Sequence, residues 1–142
     1  MKNNFQKIAT YILLAFTSSA VAQEYPDMVG TWSGGVRVVS SGTGEVAQGG
    51  MLISEMSIRI MIDHQDEESY MGRIRTSRMS SNDPSNRVWG TIRSNGEEAL
   101  FITSGNASGQ LWFHSDSEFE YCTTNMQEDV VQAYCATLAK EK

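Results

Sequence analysis

Acid–base or nucleophilic catalysis needs a histidine, cysteine or carboxylate held beside a partner, and this sequence offers few such pairs. His114 follows Trp112 and Phe113 and has Asp116 two residues on. That spacing suits a general base steadied by a carboxylate, and equally a strand-end histidine beside a turn. His64, with Asp63 before it and Asp66 after it, reads as a solvated turn. The chain holds no Gly-x-Ser-x-Gly elbow, no phosphate-binding glycine loop and no His-Glu-x-x-His zinc helix. No catalytic residue and no cofactor is assigned from the sequence. Cys122 and Cys135 could hold a metal only with His64 and His114, which lie far apart along the chain, so a disulfide is the expectation and a metal is not. Met28, Met51, Met56, Met61, Met71, Met79 and Met126 supply soft thioethers of the kind that bind Cu(I). Met51, Met56 and Met61 are five residues apart, however, so consecutive ones point to opposite faces of a strand and cannot converge. They read as core filling or as adaptable lining of a ligand cavity.

Binding chemistry is better represented. Five of the seven arginines lie between Arg73 and Arg93, a basic cluster in an acidic chain. If Tyr70, Gly72, Ile74 and Val88, Gly90, Ile92 face the core, then Arg73, Arg75, Arg87, Trp89 and Arg93 share the outer face. A register that opposes Thr76 to Val88 would set Arg75 across from Trp89. Two accounts stand: cation–π cover for an exposed tryptophan, or a docking surface for an acidic protein partner.

The elements that must position these residues follow a period of two, broken by turn residues every eight to fifteen positions. Trp32 to Ser40 sets Trp32, Gly34, Val36 and Val38 on one face. Met51 to Ile62 alternates Leu52, Ser54, Met56, Ile58, Ile60 and Ile62 against Glu55, Ser57, Arg59 and Met61, with a turn expected over Asp63 to Glu68. The run containing Tyr70 to Thr76 is followed by the loop-like Met79 to Asn86, with Pro84. Arg87 to Arg93 leads into the Asn95-Gly96 hairpin signal, then Ala99 to Thr103, Gln110 to His114, Glu118 to Asn125 and Val130 to Ala139. Eight antiparallel strands with short sequential links and no helix-period segment predict an all-β, eight-stranded antiparallel up-and-down β-barrel. A β-sandwich is the alternative, because alternation alone does not separate the two. Gly34, Gly35, Gly72 and Gly90, all inside strands, favour the barrel, where strands bend sharply.

A hairpin centred on Glu128-Asp129 makes Cys122 and Cys135 direct cross-strand partners, within the reach of a disulfide. The same register opposes Phe119, Tyr121 and Thr123 to Leu138, Ala136 and Tyr134 on one apolar face, leaving the disulfide and Glu120 on the other. In a barrel, Trp32, Tyr70, Tyr121 and Tyr134 point inward, with Ser54, Thr76 and Thr123 as polar points. That lining suits a small, mostly apolar ligand held by a few hydroxyls; alternatively these side chains fill the interior completely.

Gly30-Thr31-Trp32, opening the first of eight strands, resembles the start of lipocalin and avidin-like (calycin-type) barrels. The resemblance implies a tryptophan plugging one barrel end and a small apolar ligand in the other. Lipocalins often place an arginine of the last strand against that tryptophan; the last strand here offers Lys140, near its end. No biotin-contacting residues of avidins are placed on this chain, and no reactive motif of exported inhibitor barrels matches it.

Location is also written in the N-terminus. Lys2 and Lys7 precede an apolar stretch over Ile8 to Phe16, interrupted by Thr10, and Ala20-Val21-Ala22 has the small-x-small spacing of a cleavage site. The stretch is well short of the roughly 20 residues that cross a bilayer. Residues 1–22 are therefore expected to be a cleaved signal peptide, leaving 23–142 as one β-barrel domain, exported to a bacterial periplasm or secreted, with no membrane anchor. The chain carries a formal charge of −6, which Lys2 and Lys7 make still more negative on leaving, so nucleic acid is an unsuitable partner. Asn106-Ala107-Ser108 is a glycosylation sequon, relevant only in a host that glycosylates. Three function classes remain: ligand binding in the interior; a protein-binding module or hydrolase inhibitor using the Arg/Trp face; and an enzyme, for which no acid/base pair is visible.

Overall fold

A computed structural model describes residues 24–42, 52–80, 82, 84–127 and 130–142. The expected signal peptide (1–22), Met51 and the Glu128-Asp129 turn lie outside the described residues. The chain is all β. Its strands are β1 (Gly30–Gly42), β2 (Leu52–Asp66), β3 (Ser69–Thr76), β4 (Asn86–Ile92), β5 (Glu98–Thr103), β6 (Ala107–Ser115), β7 (Glu118–Gln127) and β8 (Val130–Lys140). Each pairs antiparallel with the next, and β1 pairs with β8, so the sheet closes into the expected barrel and not a sandwich. No described helix is long and apolar enough to cross a membrane.

Alternation produces this shape directly. Burying one face of each strand removes apolar area from water at about 25 cal/mol per Å². The buried set contains Val36, Val38, Met56, Ile58, Ile60, Ile74, Val88, Phe101, Leu111 and Leu138, which recur at every second position. Glycines let the strands curve where backbones come close. A Cβ on Gly90 would collide with the Tyr70 phenol and the Leu100 carbonyl, and one on Gly34 with the Thr137 carbonyl. Gly35, by contrast, has open space beside it and imposes no such requirement.

One end of the barrel is plugged. Residues 24–29 cross it and bury Met28 completely (0% exposed). Trp32 donates from Nε1 to the Met28 carbonyl at 2.8 Å and packs its ring 4.6 Å from that of Phe119. Lys140 lies over the Trp32 ring, 5.2 Å from its centroid, and its Nζ donates to the Asp27 carboxylate at 3.1 Å. That bond, more than any other influence, holds the Asp27 carboxyl below its ordinary range. Gln65 ties the crossing segment down, accepting from Met28 N at 2.7 Å and donating to the Pro26 carbonyl at 3.0 Å.

Several elements run longer than the sequence suggests: β1 takes in Gly30 and Gly42, and β2 and β6 extend into stretches that read as turn or connector. β2 continues through the stretch expected to be a turn, because a bulge between Ile62 and His64 absorbs one residue and the ladder resumes at His64 opposite Met71. The turn itself is only Glu67 and Glu68, with Glu67 at φ 49°. β6 starts at Ala107, inside a Ser/Gly-rich stretch that reads as a connector. Its Gly109 is a strand residue whose Cβ would strike the Cys122 carbonyl.

The last hairpin has the expected register. Cys122 pairs with Cys135 and bonds to it, with Cα atoms 4.0 Å apart, while Phe119, Tyr121 and Thr123 oppose Leu138, Ala136 and Tyr134. The closed loop is short, so its entropic stabilisation is about 3 kcal/mol at most.

These packing differences give a paired prediction. Gly90→Ala should lower stability by about 2 kcal/mol through overpacking against Tyr70, whereas Gly35→Ala should stay within about 0.5 kcal/mol of the parent. Urea unfolding followed by circular dichroism measures both, and equal effects would contradict the assigned close approach.

Candidate functional site

Opposite the plug, the barrel opens into a cavity of about 430 Å³. Among the described residues, each of β2 to β8 supplies part of its lining. Met56 from β2 and Ile74 from β3 are apolar and buried. Higher up, Thr76, Asn86, Thr103, Asn125 and Gln132 supply neutral polar groups, and Asn125 pairs directly with Gln132 across β7 and β8. Arg78 and Met79 reach in from the loop after β3, and the Arg78 guanidinium donates to the Ser54 hydroxyl.

Tyr121 is the side chain on which core and cavity meet. It is 1% exposed, its ring stacks 4.7 Å from Phe101, and it lines the cavity beside Tyr134, whose ring centroid is 6.1 Å away. The Tyr121 hydroxyl lies near those of Tyr134 and Thr123, but no group among the described residues meets it in hydrogen-bonding geometry; the same is true of Asn125 Oδ1. Thr123 directs its own hydroxyl to the Ser108 carbonyl at 3.0 Å. Burial pushes the Tyr121 and Tyr134 phenols above their ordinary range. Both therefore keep their protons at neutral pH and act as donors.

The residues expected to bind a ligand divide by depth. Thr76, Tyr121 and Tyr134 line the cavity, and Ser54 adjoins it through Arg78. Trp32 belongs to the plug at the other end. Tyr70 is packed over Gly90, and its hydroxyl reaches the Leu100 carbonyl at 3.4 Å. Neither of these two lines the cavity. Sequence reasoning did not single out Asn86, Thr103, Asn125, Gln132 or Arg78. Alternation alone could have flagged Asn125 and Gln132, which share the inward phase of Thr123 and Tyr134.

On the outer face, the pairing of β3 with β4 differs from the register that set Arg75 across from Trp89. Trp89 opposes Met71, and Arg73 opposes Arg87. The long link between these strands leaves their register free, so nothing local could fix it. Trp89 (38% exposed) instead lies between Met71 and Ile102 (59% exposed), forming an apolar strip. Arg73 pairs with Asp63 at 3.3 Å and Arg93 with Glu98 at 3.1 Å, while Arg75 donates to the Ser80 carbonyl at 2.7 Å.

The remaining candidates stay apart. His114 and Asp116 are both exposed, in a depression near the plugged end, and His64 is exposed opposite Met71. Among the described residues neither histidine forms an ion pair with a carboxylate. Glu120 lies close to both cysteine sulfurs, but those sulfurs are joined in the disulfide and are not thiolate ligands. Met56 points inward and Met61 does not, as their spacing requires.

No protein-family model and no curated protein matches this chain. Among solved structures it is similar to three eight-tenths-length matches. A redesigned β-barrel is 14% identical, covering 80% of this chain and 91% of that one at a TM-score of 0.46. A protein bound to DFHBI, EF1p2_mFAP2b, is 14% identical, covering 80% and 93% at a TM-score of 0.48. The S-type phycobiliprotein lyase from Guillardia theta is 11% identical, covering 81% and 89% at a TM-score of 0.38.

Proposed function

We propose that this chain binds a small ligand, mostly apolar but bearing at least one hydrogen-bonding group, in the open end of its barrel. The observation that carries this reading is the Tyr121 hydroxyl, buried in the cavity wall with no partner in hydrogen-bonding geometry among the described residues. A buried polar group left unpaired costs about 1–3 kcal/mol. A ligand that accepts from Tyr121 and donates to Asn125 Oδ1 offsets that cost for both atoms at once. The cavity is of the size small-molecule sites use, roughly 300–1,000 Å³, with an apolar floor of Met56 and Ile74 beneath neutral polar groups. Binding is favoured over catalysis because neither histidine lines this cavity. The disulfide and the signal-like N-terminus support action outside the cytoplasm.

A second reading rests on the outer strip of Met71, Trp89 and Ile102, which stands beside Arg73 and Arg87. Tryptophan, methionine and arginine are the residues enriched at protein interfaces. An acidic protein with an apolar anchor would fit that surface, whether as a regulated hydrolase or another partner.

The two readings separate experimentally. N-phenyl-1-naphthylamine should fluoresce on binding the parent protein, and Ala107→Trp, which fills the cavity, should weaken that binding at least about tenfold; unchanged binding would remove the interior site. Tyr121→Phe should raise the stability of the ligand-free protein by about 1 kcal/mol, because it deletes an unpaired hydroxyl. For the outer strip, Trp89→Ala with Arg87→Glu should abolish recovery of any acidic protein that co-purifies with the parent, leaving the circular dichroism spectrum intact. Undiminished recovery would discard the outer reading.

A further inference from the structure

We infer that the ligand carries an anionic group and that Arg78, at the cavity mouth, receives it; this rests on the interior-binding reading. The chain has 17 acidic residues and 11 basic ones. None of the acidic residues lines the cavity among the described residues, and Arg78 is its charged lining residue. The rest of the described lining is neutral: Asn86, Asn125 and Gln132 are amides that tolerate an anion and donate to it. Below them the Tyr121 and Tyr134 phenols stay protonated and are also donors.

Chemistry of this kind selects against a cation and for a carboxylate, sulfonate or phosphate. Among the described residues a cation would meet a guanidinium and no counter-charge. An anion meets one fixed positive charge and a set of N–H and O–H donors. The Arg78 guanidinium has five N–H donors in a planar fork, and its bond to Ser54 uses only part of that fork. Ser54 therefore aims the group at the mouth and leaves donors for a ligand. The apolar floor of Met56 and Ile74 then takes the body of the molecule, so the ligand class is a small anionic amphiphile.

Two probes with one skeleton isolate the charge. 8-anilinonaphthalene-1-sulfonate carries the anion, and N-phenyl-1-naphthylamine lacks it. The intact, disulfide-bonded protein should bind the sulfonate at least about tenfold more tightly than the neutral amine at low salt. Arg78→Gln should cut sulfonate affinity about tenfold and leave neutral-probe affinity within about twofold. Ala107→Trp should block both probes, which ties the signal to the cavity. Equal affinity for the two probes, or an Arg78→Gln effect of the same size on each, would overturn the anion preference while leaving interior binding in place. If neither probe binds, interior binding fails and this inference fails with it.

Discussion

Closure of β1 on β8 is the constraint on which the rest depends. Without it the first and last strands would each present a row of unpaired backbone groups, the template on which sheets aggregate. The pairing is made at two stretches in one register: Trp32 and Ser33 oppose Lys140 and Ala139, and Val39 to Gly42 oppose Ala133 to Val130. Its cost is close approach: the Gly34 backbone lies so near the Thr137 carbonyl that no side chain fits between them. The same closure sets the two ends. It brings Lys140 over Trp32 at one end and sets Gln132 opposite Ser40 at the other, where Gln132 and Tyr134 line the cavity.

The two ends then diverge because the inward positions change character along each strand. Near the plug they are large and apolar, as with Trp32, Phe119, Ile62, Ile92 and Leu138. Toward the mouth they become Thr76, Asn86, Thr103, Asn125 and Gln132. Bulky apolar side chains interdigitate and exclude water; short polar ones do neither. The plug therefore supplies stability and the mouth carries the proposed site, a division expected where a site breaks the rules the core obeys.

How much of this the sequence discloses depends on whether the information is local. Alternation is local, so the inward set was readable down to Tyr121 and Ala136. The register of β7 and β8 is nearly local too, since a short turn and the two cysteines fix it together. The register of β3 and β4 is not: the link over 77–85 is long enough to allow several, and the pairing of Trp89 with Met71 depends on how the whole barrel packs. Gln65 was hidden for another reason. It lies among Asp63, His64, Asp66 and Glu67, a composition that reads as a turn, and only the bulge shows that it belongs to a strand and fastens Met28. Met28 itself lies outside any periodic segment, so no pattern marks it as a plug. Whether the interior is filled or hollow depends on summed side-chain volumes level by level, which no single strand reveals.

The position of the disulfide bears on the proposed binding as well as on stability. Cys122 and Cys135 point outward, and each follows a tyrosine in sequence: Tyr121 on β7 and Tyr134 on β8. Alternation sends both tyrosines inward, behind the bridge. Joining the sulfurs fixes the two strands at one level, and so fixes the separation of the two phenols that face the cavity. The stacking of Tyr121 on Phe101 restrains it from the core side. A donor held from both directions loses little freedom when a ligand arrives, and less of the interaction is spent on ordering it. In the proposed binding the bridge thus acts through the two phenols, although it does not line the cavity.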